Sequence, residues 1–108
     1  MSHPNHGFAA RTSRHDGSWR LALSGELDLA TMGELARAVD RRGAIEGRAV
    51  VLDVSGLTFV DASGVRALID ACELLTGAGH EVTVAGVRAQ LGRLLELTRA
   101  DRRLPLEA

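Results

Sequence analysis

The sequence has no lysine; all 13 of its basic residues are arginine. That absence removes the lysine of a phosphate-binding loop, a Schiff-base lysine and the nucleotide-contacting lysine of a protein kinase. Cysteine is almost missing as well. Cys72 stands alone, so neither an intrachain disulfide nor a cysteine metal cluster can form within the chain. No apolar run approaches the ~20 residues that cross a bilayer. The start, MSHPNHGFA, lacks the layout of a secretory signal. Neither sign of charge dominates: the formal net charge is −1, and no basic excess points to nucleic acid. The expectation is a cytoplasmic protein with no membrane span and no direct nucleic-acid contact.

What is present is the composition of an ordinary globular domain: 108 residues, 45% apolar and 25% charged. A chain of this length fits one domain and hides well over half its unfolded surface. Residues 1–7, with His3, Pro4, Asn5 and His6, read as a flexible leader, and residues 8–108 as the domain.

Periodicity divides the rest. A first strand is predicted over Phe8–Arg14, and His15-Asp16-Gly17 as a tight hairpin turn, since Asp-Gly tolerates the positive φ such a turn needs. Trp19, Leu21 and Leu23 alternate with polar or small residues and predict a half-buried strand. Met32, Leu35, Ala36 and Val39 recur at helical spacing, in a helix opened by Ala30 or Thr31 and closed by Gly43. Arg48–Ser55 is nearly continuous in apolar residues and predicts a central strand. A loop over Gly56–Asp61 leads to a second helix beginning near Ser63, with Val65, Leu68, Ile69, Cys72 and Leu75 as its apolar stripe. Glu81–Ala85 predicts a strand, and Val87, Leu91, Leu94 and Leu95 a third helix. Leu104-Pro105-Leu106 is a weak strand that proline confines to an edge. Strand and helix alternate after the hairpin, so the fold class is α/β, with a mixed, mostly parallel sheet and right-handed crossovers.

Most candidate residues have plain structural readings. His3, His6, His15 and His80 lack metal-ligand spacing, so no metal site is expected. No Gly-x-Ser-x-Gly elbow surrounds Ser63, which argues against a hydrolase. Cys72 lies on an apolar stripe and reads as a core residue, and Trp19 as strand packing. The pairs Arg41-Arg42 and Arg102-Arg103 read as solvated surface.

One segment is more informative. Val51 to Arg66 runs from a buried strand into a helix, with Ser63 at the N-cap or in the first turn. Free backbone N–H groups and the positive end of the helix dipole face that position, so a phosphate there would meet donors. Gly64 removes side-chain bulk beside the hydroxyl, which predicts close approach by a partner. The plainer reading is that Asp61-Ala62-Ser63-Gly64 is a helix cap and tight turn.

Gly25-Glu26-Leu27-Asp28, then Leu52-Asp53 and Phe59-Val60-Asp61-Ala62-Ser63-Gly64-Val65, resemble the two signature stretches of the STAS family, which includes bacterial anti-sigma factor antagonists. The resemblance spans about residues 8–104. It implies a STAS-like domain with three helices that binds a partner and is not an enzyme. It implies that Ser63 is phosphorylated by an anti-sigma factor that is also a serine kinase. The unphosphorylated form binds this partner and frees a sigma factor, and a phosphatase resets the switch. It places Asp28 and Asp61 beside the serine as phosphosite or partner support, with Ala62 and Gly64 in the same element; no cofactor is implied. Capping of the first and second helices is the simpler role for Asp28 and Asp61, and one carboxylate can do both.

Members of this type usually carry a last helix after the final strand. The chain stops at Ala108, so that helix is expected to be missing, with part of the sheet bare or under a partner; a homodimer stays open. The alternative within the family is a non-switching scaffold subunit of a transporter or signalling assembly.

Overall fold

The computed structural model describes residues 7–42 and 49–107. Most of the leader and Gly43, the expected stop of the first helix, lie outside the described residues. Strands β1 (Phe8–His15), β2 (Ser18–Leu27), β3 (Ala49–Val60) and β4 (Glu81–Ala85) form one sheet in that order. β1 and β2 are an antiparallel hairpin; β2, β3 and β4 are parallel. Helices α1 (Met32–Arg42), α2 (Ala62–Gly77) and α3 (Ala89–Leu97) follow β2, β3 and β4 in turn.

The hairpin turns on Asp16 and Gly17, with φ of 48° and 83°, the left-handed pair that matches the twist of the flanking strands. Each later crossover joins neighbouring strands and advances in one direction across the sheet. Right-handed crossovers then lay all three helices on a single face. Trp19, Leu21 and Leu23 of β2 register with or beside Val50, Leu52 and Val54 of β3 on that face and join one apolar cluster with Leu35, Val39, Leu68, Leu75 and Leu95. Complete burial of each such side chain contributes about 1.5–3 kcal/mol. The other sheet face carries Arg20, Asp53 and Thr83, which stay half-buried without a helix over them among the described residues.

Three expectations need correction. The segment expected as a loop over Gly56–Asp61 is mostly strand: β3 runs on to Val60. Two register shifts, between Ala22 and Ser24 and between Gly25 and Glu26, let both strands continue, and the Thr58 hydroxyl donates to the Gly25 carbonyl at 3.1 Å. The apolar stripe of α1 is narrower than its spacing suggests: Leu35 and Val39 are buried, whereas Met32 and Ala36 are exposed. The expected strand at Leu104–Leu106 is a single bridge. Val84 donates to the Pro105 carbonyl and accepts from Glu107, both at 2.8 Å, so Pro105 serves the edge of β4 with its carbonyl alone. A 3-10 turn at Ala100–Arg102, entered through Arg99 at φ 58°, was not read from the sequence.

Candidate functional site

The C-terminal ends of β2 and β3 lie side by side, with Leu27 opposite Val60. In a parallel sheet this is where ligands and partners meet the chain turns. The residue after each strand is an aspartate, Asp28 and Asp61.

Asp61 enters α2 directly. Its backbone is extended, its carboxylate accepts the Gly64 N–H at 2.9 Å, and its carbonyl accepts from Val65 at 2.9 Å. Asp61, and not Ser63, is therefore the N-cap. Ser63 becomes the second residue of the helix, half-buried, and its hydroxyl has no hydrogen-bond partner among the described residues. A helical Cβ tilts towards the N-terminus, so this hydroxyl leans back towards the strand ends. Ala62, the first helical residue, is exposed.

Gly64 has a different role from the one expected. It is buried, and a Cβ there would run into the Leu27 carbonyl oxygen and meet Val60 Cγ1 at 2.8 Å. The space it leaves is filled by the chain itself. Asp61 N–H also donates to the Leu27 carbonyl, at 3.4 Å. The first turn of α2 is thus seated on the end of β2, one residue before Asp28.

Asp28 enters α1 through a longer turn. Its Oδ1 accepts the Ala30 and Thr31 amides at 3.0 and 3.1 Å, so its carboxylate closes the turn that leads into α1 and bonds no amide of the helix itself. Thr31, 6% exposed, donates its hydroxyl to the Glu26 carbonyl at 2.8 Å and accepts from the Asp28 N–H at 3.0 Å. Sequence reasoning proposed Thr31 only as a helix opener.

Among the described residues, no cation pairs with either aspartate; the ion pairs are Arg20–Asp53, Arg66–Asp70 and Arg103–Glu73. Negative charge at this end is held by backbone amides instead. Two large apolar residues close in sequence to these aspartates are exposed, Leu29 to 70% and Phe59 to 51%. Their signal in the sequence was a large apolar residue within two positions of each aspartate. A groove of about 450 Å³ runs from Val60 to α3, with Leu57, Phe59, Arg88 and Leu91 in its walls.

The remaining reactive side chains lie elsewhere. Burial pushes the Cys72 thiol up to about 12, as befits a core residue. Trp19 packs in its strand, with the Arg14 guanidinium 5.5 Å from its ring centre. Asp53 is held below the usual carboxylate value first by the Ser55 amide, then by the Ser55 hydroxyl and Arg20. No group of three metal-ligating side chains occurs among the described residues; His3 and His6 lie outside them. No helix among the described residues is long and apolar enough to cross a membrane.

Comparison with known proteins fits this architecture. The family model described as "Mlab, STAS domain" matches residues 10–107. The chain belongs to the STAS-domain family. It is 30% identical over 95 residues to the anti-sigma F factor antagonist of Paenibacillus polymyxa, spanning 85% of this chain and 80% of that one. It is 24% identical over 87 residues to the anti-sigma-B factor antagonist of Staphylococcus aureus, spanning 81% of each. The crystal structure of an anti-sigma factor antagonist from Mycobacterium paratuberculosis superposes with a TM-score of 0.74 at 29% identity, covering 98% of this chain and 89% of that one.

Proposed function

We propose that this chain is an anti-sigma factor antagonist: a binding module, not an enzyme, switched by phosphorylation of Ser63. Unphosphorylated, it binds an anti-sigma factor with serine-kinase activity and so frees a sigma factor in the cytoplasm; phosphorylation releases the partner, and a phosphatase restores binding. The observation that carries this reading is the unengaged Ser63 hydroxyl in the first turn of α2, at the strand ends from which Asp28 and Asp61 emerge. A serine needed only for capping would be bonded to the backbone, and here Asp61 already does that work. The names of the relatives support the general role.

Physical magnitudes indicate how the switch acts. A phosphate adds about −1.5 to −2 charges at neutral pH. The helix terminus favours it by about 0.3–2 kcal/mol. One negative charge about 6 Å from another opposes it by about 3 kcal/mol at an effective dielectric near 20, before salt screening. The local terms are comparable, so the fold survives. An interface does not tolerate the change as well: a loss of about 3–4 kcal/mol lowers affinity a hundredfold or more. Phosphorylation blocks docking and does not refold the domain.

The test is to incubate the chain with ATP–Mg²⁺ and each purified anti-sigma-type serine kinase of its source cell. Intact mass is compared for wild type and Ser63→Ala. One phosphate on wild type alone, with nearly unchanged backbone NMR shifts beyond the α2 start and with partner binding lost, is expected. No uptake with any kinase would move the assignment to the non-switching scaffold. Broad backbone rearrangement would refute blocking as the mechanism.

A further inference from the structure

We infer that Thr31 is a positioning residue for Asp28 in phosphotransfer to Ser63, an assignment that rests on the switch reading above. Thr31 is 6% exposed, yet its hydroxyl is fully engaged. It has one proton to give, and the Glu26 carbonyl at 2.8 Å is a nearer acceptor than Asp28 Oδ1 at 3.2 Å. Its oxygen accepts the Asp28 N–H at 3.0 Å. The hydroxyl therefore bridges the backbone on either side of Leu27, the residue whose carbonyl seats both Asp61 and Gly64.

The effect on the carboxylate follows. Asp28 Oδ1 is occupied by the Ala30 and Thr31 amides. No described group bonds its other oxygen. Thr31 thus fixes the turn, the turn consumes Oδ1, and Oδ2 is left without a bond at the strand end that lies next to the exit of β3 into α2. In the transfer, Ser63 Oγ bonds to the γ-phosphorus of the kinase's ATP, the bond to the β-phosphate oxygen breaks, ADP leaves, and the hydroxyl proton passes to a carboxylate acceptor. Thr31 touches none of these atoms and acts only through Asp28.

The experiment is a double-mutant cycle on the full chain, using the kinase that modifies wild-type Ser63. Loss of the bridging hydroxyl in Thr31→Val should lower kcat/KM about fivefold, the range of one hydrogen bond. Thr31→Ser, which keeps the bridge, should stay within about twofold of wild type. In an Asp28→Ala background, Thr31→Val should cause no further loss. Thr31→Ala serves the same cycle should the valine chain fail to fold. An equal loss in both backgrounds would mark Thr31 as a merely structural residue and overturn the inference. So would full activity of Thr31→Val, or of Asp28→Ala. Failure of the wild type itself to accept phosphate, from a kinase active on a control substrate, would overturn the switch reading and this inference with it; failure confined to the variants' pattern leaves the switch reading standing.

Discussion

The crossing from β3 to α2 and the crossing from β4 to α3 both leave a parallel strand for a helix, but they are built differently. At the first, Asp61 is both the exit from the strand and the helix cap, and Gly64 is pressed against the neighbouring strand end. At the second, Arg88 stands at the N-cap without a side-chain cap bond. The carboxylate there is Asp53, from the adjacent strand; a Cβ on Gly86, at φ 78°, would come within 2.8 Å of its Oδ1. Both crossings use one glycine and one aspartate. Only the first spends its aspartate on a helix terminus and displays an unengaged hydroxyl beside it. The contrast is in keeping with the phosphoacceptor role proposed for Ser63.

The largest effect is expected from filling the space at the first crossing. Gly64→Ala forces β2 and α2 apart and should destabilise by about 3 kcal/mol, read as a lower urea midpoint at unchanged slope. Gly77→Ala, on the same helix with open space around it, should be neutral or stabilise by up to about 1 kcal/mol. Equal costs at the two sites would dissolve the claim of close packing at Gly64.

The next effect comes from the cap. Asp61→Ala should cost about 1 kcal/mol, and Asp61→Asn much less, because both Asp and Asn accept the amide. Replacement of Arg88 by alanine, which removes no cap bond, is the comparison at the other crossing. A similar loss there would erase the distinction.

The smallest effect concerns pH. Asp53 is held below the usual 3.8, chiefly by the Ser55 amide. On acidification the unfolded chain takes up its proton first. The stabilisation is therefore present above the ordinary carboxylate value and is lost as pH falls through the folded value. Asp53→Asn should flatten the acid limb of a stability–pH curve below about pH 4; an unchanged limb would show that Asp53 does not brace this turn.

Much of the fold was legible in local pattern. β4 was read to the residue, the Asp16-Gly17 turn follows from tolerated positive φ, and the whole predicted stripe of α2 is buried. What misled was chemistry that depends on a neighbour. Gly56 and Thr58 look like loop residues until β2 shifts register beside them. Gly64 looks like an opening for a partner until the Leu27 carbonyl occupies that opening. Ser63 and Asp61 are both good caps on paper, and only the strand exit at Val60 gives the position to the aspartate.

The sequence by itself determined the alternation of strand and helix, the apolar faces and the presence of Asp28, Asp61 and Ser63 at element ends, because periodicity and capping are local properties of the chain. Tertiary structure alone decided that β3 runs on to Val60 beside a register-shifted β2, that Asp61 donates its N–H to the Leu27 carbonyl, and that this carbonyl closes the space at Gly64. Those outcomes depend on the parallel registry of two strand ends far apart in sequence, and hydrogen-bond partners are assigned only once that registry forms.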